Sequence, residues 1–238
     1  CGCGDFSCKE LRVRRECIGI IISNMQATRL EELRSHSIHQ RLVEAEEFFM
    51  KQGPMFSTLE RLARRLEDEE IPYAVVGGMA LNLHEYERMT RDIDILMTSD
   101  GVEKFIERCV GLGYVQTFRG ARKSFRDTVS QTTIEVLITG EYPGDGKPKP
   151  VAFPDPATAS VKVGNIRVIS KEKLIELKLA SGLTAPHRLR DLADVQDMIT
   201  TLNLPLDFDN KLDASVRAEY RRLWETAQHA GDGPHERE

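Results

Sequence analysis

Two segments decide the fold: Val75-Val76-Gly77-Gly78-Met79-Ala80, and then Thr90-Arg91-Asp92-Ile93-Asp94-Ile95-Leu96. In a strand the side chains alternate between faces, so Asp92 and Asp94 point the same way with backbones about 7 Å apart, while Ile93 and Ile95 turn into a core. Two neighbouring carboxylates repel each other, and a half-buried strand ordinarily carries apolar or neutral side chains at such positions. A bound cation removes that penalty. Magnesium suits the pair, because it takes hard oxygen ligands, keeps several waters and is usually held by one or two carboxylates together with substrate phosphates.

Working outward, the next requirement is a third acid on a neighbouring strand. Thr133-Ile134-Glu135-Val136-Leu137-Ile138 supplies it, with Glu135 the only charge in an otherwise apolar run. Three carboxylates on adjacent strands would hold two ions about 3.5 to 4 Å apart, the clamp used for in-line phosphoryl transfer. Gly77-Gly78 ends a strand and opens a helix, which lets backbone N–H groups come close to a phosphate. The competing phosphate motifs do not fit. Gly144-Asp145-Gly146-Lys147-Pro148 lacks the Walker spacing and its Ser or Thr, and no G-x-G-x-x-G follows a strand.

The flanking sequence predicts an α+β chain with a mixed sheet flanked by helices and a C-terminal helical segment. A charged helix is expected over 30–51 and a second over 57–69, opened by a Ser57…Glu60 capping box and carrying Leu59, Leu62 and Leu66 at helical spacing. Strands are expected at 73–76, 92–97, 114–118, 124–129 and 132–139, with a helix at 101–110 capped by Ser99 or Asp100. Residues 141–156 are rich in proline and glycine and read as a long surface loop. Strands at 160–163 and 166–169 turn at Gly164-Asn165, and helices follow at 171–181, 188–202 and about 210–228.

The spaced set Gly77-Gly78, thirteen residues, Asp92-x-Asp94 and Glu135 on a later strand resembles the signature of the DNA polymerase β-like nucleotidyltransferase superfamily. Arg88-Met89-Thr90-Arg91-Asp92-Ile93-Asp94 is similar to the form found in AbiEii-type toxins. The resemblance covers about residues 57–200. It implies a nucleotidyltransferase fold and transfer of a nucleoside monophosphate from a triphosphate, with Asp92, Asp94 and Glu135 as ligands of two Mg2+ ions. It also implies that Gly78 stands where many members carry serine, a departure the AbiEii branch shares. Gly77 and Gly78 form the phosphate turn, and Arg88 and Arg91 beside the aspartates are candidates for phosphate contacts.

A second motif runs Leu174-Ile175-Glu176-Leu177-Lys178, then Arg188-Leu189-Arg190-Asp191-Leu192-Ala193-Asp194-Val195. On a helical wheel Lys178 falls inside the arc of Leu174, Ile175, Leu177 and Leu179, while Glu172, Lys173 and Glu176 lie opposite. Such a lysine either snorkels, with its stem packed and its head in solvent, or is aimed at a triphosphate. In the following helix Leu189, Leu192, Val195 and Ile199 form the apolar stripe, with Asp191 at its margin and Asp194 further out, where it would pair with Arg190. AbiEii-like toxins place a lysine and an acid in this region. The resemblance therefore implies Lys178 and Asp191 as assisting groups, Asp191 as base for the acceptor hydroxyl, with Asp194 a second choice.

Composition bounds the remaining possibilities. A net charge of −5 over 238 residues argues against non-specific coating of nucleic acid, which needs a broad basic surface. Arg119, Arg122, Lys123 and Arg126 form one local basic cluster, either a steering patch for an anionic acceptor or a solvated, charge-protected edge. No apolar run is long enough to span a membrane. Four of the five cysteines, Cys1, Cys3, Cys8 and Cys17, crowd the first seventeen residues without a disulfide framework or paired zinc knuckles. Residues 1–24 read as a non-native or disordered extension ahead of Met25, with a helical segment over 25–56, a core over 57–170, helices completing the site over 171–230 and a tail over 231–238. Nothing resembles a cleavable signal, so a reducing cytoplasm is expected. The expected substrates are a nucleoside triphosphate and an acceptor: the end of a tRNA or another RNA, a protein side chain or a small molecule. A toxin-like member would also have an antitoxin protein as partner. The competing class is an inactive member of the same fold that binds nucleotide or a partner.

Overall fold

Leu59, Leu62 and Leu66, the helical triplet read from the sequence, are all fully buried on the first helix of the computed structural model, α1 (Pro54–Asp68). The structure describes residues 53–231 together with Gln40 and Val43. The helix expected over 30–51, the early cysteines and the tail beyond 231 lie outside the described residues. α1 starts a turn before the expected capping box, because Pro54 presets the helical φ at the first position after Gly53. Ser57 Oγ then donates to Gly53 O at 2.8 Å rather than capping an N–H.

The central alternation runs β1 (Tyr73–Val76), α2 (Gly77–Leu83), β2 (Asp92–Met97) and α3 (Ser99–Cys109). The cap of α3 is neither Ser99 nor Asp100. Thr98 is extended and its Oγ1 accepts from Gly101 N at 3.1 Å. Next come β3 (Tyr114–Gln116), β4 (Ser124–Asp127) and β5 (Thr133–Ile138). β4 stops two residues before its expected end because the Asp127 carboxylate accepts from the N–H groups of Val129 and Ser130 and turns the chain.

After a loop and one short turn, α4 (Pro156–Ala159), come β6 (Ser160–Val163) and β7 (Ile166–Ile169). The last elements are α5 (Lys171–Thr184), a 3-10 turn Pro186–Arg188, α6 (Leu189–Thr201), a second 3-10 turn Leu206–Lys211 and α7 (Ala214–Gly231).

Seven strands form one mixed sheet in the order β3-β4-β5-β2-β1-β7-β6. β2 lies antiparallel to β1 and parallel to β5, so the two strands that carry the acids are direct neighbours at the centre. Ile93 and Ile95 are buried on one face, as alternation requires. Under β4, Phe125 and Phe105 of α3 meet edge-on at 5.0 Å.

Three sequence expectations need correction. The 141–156 segment is a loop, yet it is docked: Gly140 and Glu141 pair with Phe153 through the backbone, and Val151 and Phe153 are buried. Glu176 does not face solvent. It is 3% exposed, and its oxygens accept from Lys173 Nζ and from Asp213 N. α5 is covered on both sides, so no single stripe describes it. On α6, Leu189 is 67% exposed and Asp194 only 3%, the reverse of the wheel reading. Leu189 opens the helix, where it has no wall to meet, and the buried side is Asp194, Val195, Met198 and Ile199. No helix of the described residues is long and apolar enough to cross a membrane.

Candidate active site

The parallel register of β2 and β5 sets Asp94 opposite Glu135 and Asp92 opposite Thr133, and directly opposed residues share a face. The three acids thus lie on one face, Asp94 and Glu135 side by side and Asp92 one step along. Two of them are held by hydroxyls. Thr90 Oγ1 donates to Asp92 Oδ1 at 2.6 Å, and Ser124 Oγ, from β4, donates to Glu135 Oε1 at 2.8 Å. None of the described residues donates to the Asp94 carboxylate.

Asp94 keeps some exposed surface, yet protein packs closely round its carboxylate. Desolvation pushes its pKa up to about 7; the charges of Asp92 and Glu135 add to the rise, and Lys178 and Arg188 oppose it. Among the described residues no three His, Cys, Asp or Glu side chains yet converge tightly enough to enclose an ion by themselves. A carboxylate without a donor, raised by two like charges, is nevertheless the environment a divalent cation relieves. Magnesium needs only one or two protein carboxylates beside substrate phosphates. The residues fit the ion on that ground.

The glycine turn explains its own composition. Gly77 adopts φ +61, and a β-carbon there would lie 1.8 Å from Asp94 Oδ2. At Gly78 a β-carbon would lie 2.7 Å from Thr90 Cβ and 2.8 Å from its Oγ1. The place that a serine at 78 would take is filled by Thr90, the same residue that holds Asp92. Asn82 secures the turn from below: its Nδ2 donates to Gly78 O at 3.0 Å and Arg88 O at 2.6 Å, and its Oδ1 accepts from Arg88 N at 3.1 Å.

The helical wall brings up Lys178, 6% exposed, so its head is buried and does not snorkel. Nζ donates to Asp191 Oδ1 at 3.0 Å and to Asp194 Oδ2 at 2.7 Å. Ser181 Oγ donates to the other Asp191 oxygen at 2.7 Å. Asp194 is therefore an inner member of the cluster, not an outer one paired with Arg190. Arg88 Nε stands 2.9 Å from Asp194 Oδ1, an ion pair set off the line of a hydrogen bond. That contact ties Arg88 to the helical wall through Nε, while one of its Nη groups lies beside Gly78. Arg91 is exposed and carries no ion pair among the described residues.

A cavity of about 130 Å3 joins these groups, lined by Gly77, Asp94, Lys178, Arg188 and Asp191 on the polar side and by Leu137, Phe153 and Leu177 on the apolar side. Two larger cavities, of about 390 and 560 Å3, lie away from the acids, against α1 and the β6–β7 hairpin. The smaller is the candidate site, because Asp94, Lys178, Arg188 and Asp191 line it and neither of the larger two. In the outer basic cluster Arg122 pairs with Glu103 and Lys123 with Glu141, which leaves Arg119 and Arg126 without an ion pair among the described residues. His84 Nε2 donates to Ile169 O at 2.7 Å, and Trp224 Nε1 donates to Leu204 O; both are packing residues. Sequence reasoning missed Thr90, Ser124, Asn82 and Arg188. Only Thr90 left a trace, as a hydroxyl two residues from Asp92.

No curated protein matches the sequence. A crystal structure of an antigenic nucleotidyltransferase-like protein from Paracoccidioides brasiliensis is similar in fold, at TM-score 0.50 and 18% identity over 74% of this chain and 89% of that one. ANT(2″)-Ia in complex with adenylyl-2″-tobramycin is a looser match, at TM-score 0.45 and 12% identity over 72% of this chain and 97% of that one. A family model described as uncharacterised nucleotidyltransferase matches residues 11–227. The chain belongs to that nucleotidyltransferase family.

Proposed function

We infer that the protein moves a nucleoside monophosphate from a triphosphate to an acceptor hydroxyl and releases pyrophosphate. The observation that carries this reading is the β2–β5 register, which puts Asp94 and Glu135 side by side with Asp92 next along the same face, and Asp94 against Gly77. Family membership supports the same class of reaction. Asp92, Asp94 and Glu135 would hold Mg2+, which when bound supplies charge stabilisation of the triphosphate and a lowered pKa for the attacking hydroxyl. Gly77 and Gly78 would let backbone N–H groups come close to a phosphate. Lys178 has three N–H groups, of which two go to Asp191 and Asp194, so one remains for a phosphate oxygen. Arg188 adds a second positive charge to the cavity, and Arg91 one outside it. Asp191 is the base candidate; its oxygens accept one bond each, from Lys178 and Ser181, and each keeps a lone pair for an incoming proton.

The acceptor is drawn from RNA, including tRNA ends, protein side chains and small molecules. The toxin-like branch, and with it an antitoxin partner, rests on the 88–94 motif and the Lys178…Asp191 region alone. The test is incubation of the protein with labelled triphosphates, Mg2+ and total RNA, in parallel with Asp94→Ala. Labelled RNA from the wild type only is the expected result. No labelled product with RNA, protein or small-molecule acceptors, together with no Mg2+-dependent nucleotide binding, overturns the reading in favour of an inactive member of the fold.

A further inference from the structure

The site's two walls are joined through one carboxylate. Asp194, on α6, is 3% exposed and has both oxygens engaged by cations from different parts of the chain: Oδ2 by Lys178 of α5 and Oδ1 by Arg88 of the α2–β2 loop. Arg88 is in turn fixed through its backbone to Asn82, and Asn82 to Gly78 O. Its guanidinium also lies against Gly78, since a β-carbon there would fall 3.3 Å from an Arg88 Nη. A continuous path of polar contacts therefore runs from Lys178 through Asp194, Arg88 and Asn82 to the glycine turn. A second tie runs parallel to it, Tyr86 OH to Asp197 of α6 at 2.8 Å.

Stability alone gives a weak reason for such a path. Buried ion pairs recover little more than their desolvation cost, and apolar residues of similar volume often serve as well. What an ion network does supply is direction. Two carboxylates on Lys178 fix its head at the wall of the cavity that Asp94 also lines, with one N–H left over.

Resting on the nucleotidyltransferase reading above, we propose that Asp194 is a positioning residue for the triphosphate. It bridges Lys178 and Arg88 and so sets the separation between the helical wall and the glycine turn at which phosphate is gripped from both sides. Asp194 touches no substrate in this account. It acts through Lys178 and through Gly78.

The experiment measures Mg2+-dependent binding of the four nucleoside triphosphates, and of inorganic tripolyphosphate, to the full chain by calorimetry, with a thermal melt of every variant. Asp194→Asn keeps the shape and removes the charge, and Arg88→Met with Asp194→Leu removes the pair while keeping the packing. Both are expected to bind at least tenfold more weakly than wild type, tripolyphosphate included, although the double variant melts within a few degrees of it. Asp194→Glu is expected to recover part of the loss. Wild-type binding by the folded double variant overturns the proposal and leaves the nucleotidyltransferase reading standing. Loss of binding only in variants that no longer fold overturns it in the same way. A wild type that binds no triphosphate with Mg2+ overturns both.

Discussion

A β-carbon on Gly77 would meet Asp94 Oδ2 at 1.8 Å, and the φ of +61 is already one that L side chains avoid. Gly77→Ala therefore carries two costs. The backbone strain is about 1–3 kcal/mol, a fall in Tm of roughly 2–4 °C per kcal/mol for a chain of this size. The displaced Asp94 should also weaken Mg2+ binding. Gly146 is the control, with φ +72 and nothing within 4 Å of its β-carbon position. Gly146→Ala should share the drop in Tm but not the loss of metal, as melts and Mg2+ titrations will read.

Asp94 gives a pH signature of its own. In the folded chain its pKa stands at about 7 against an ordinary 3.8, chiefly through desolvation and then through Asp92. Below the lower value both folded and unfolded chains hold the proton, and the group is neutral to stability. Between the two values the unfolded chain has released it and the folded chain has not, so rising pH disfavours folding, and above about 7 the full penalty stands. In EDTA, Asp94→Asn should melt at the same temperature as wild type at pH 4 and several degrees higher at pH 8. Equal melting at both pH values would mean that the carboxylate is not desolvated in the metal-free protein.

At the scale of elements, α5 shows why a helical wheel fails when a helix is packed on two sides. Its first face closes the cavity with Leu177 and Lys178, and its second carries Glu176 to the start of α7, where Oε1 accepts from Asp213 N at 2.9 Å. A carboxylate there also faces the positive end of α7. Glu176→Ala leaves that N–H without a partner and Lys173 without its anion, at about 1–3 kcal/mol. Amide exchange should speed up over 213–216 before it does in β2 or β5, and uniform exchange would show that Glu176 holds no helix start. The strands were far more legible than the helices. Strict alternation about Ile93 and Ile95 fixed the faces of Asp92 and Asp94, and the lone charge in 133–138 marked Glu135. α6 was misread because its buried side is made partly of Asp194, and periodicity counts only apolar residues. The 141–156 loop was legible as a loop. Its docking, by Lys149 onto Thr184 of α5, leaves no local signal.

For the molecule as a whole, the relation of the helices after residue 170 to the sheet decides what makes up the site. They do not stand apart: the described residues from 53 to 231 form one compact unit, and among them Leu174, Ile175 and Leu179 are buried while Leu174 and Leu177 share a cavity wall with Val76, Leu137 and Phe153 of the sheet side. The sheet's acid-bearing face is consequently finished by chain that follows it in sequence, and so is the site, since Lys178, Arg188 and Asp191 all come from that part. Ending the chain after Ser170 would expose the apolar side of the cavity and leave Arg88 without Asp194 and Tyr86 without Asp197. Buried apolar area is the main favourable term in folding, and it scales with the surface removed from water. The shortened chain should therefore lose its cooperative melt and bind a hydrophobic dye, while the full chain does neither. A sharp, two-state transition from the shortened chain would instead show that the sheet folds without its helical wall, and the three site residues on that wall would then belong to a separable unit.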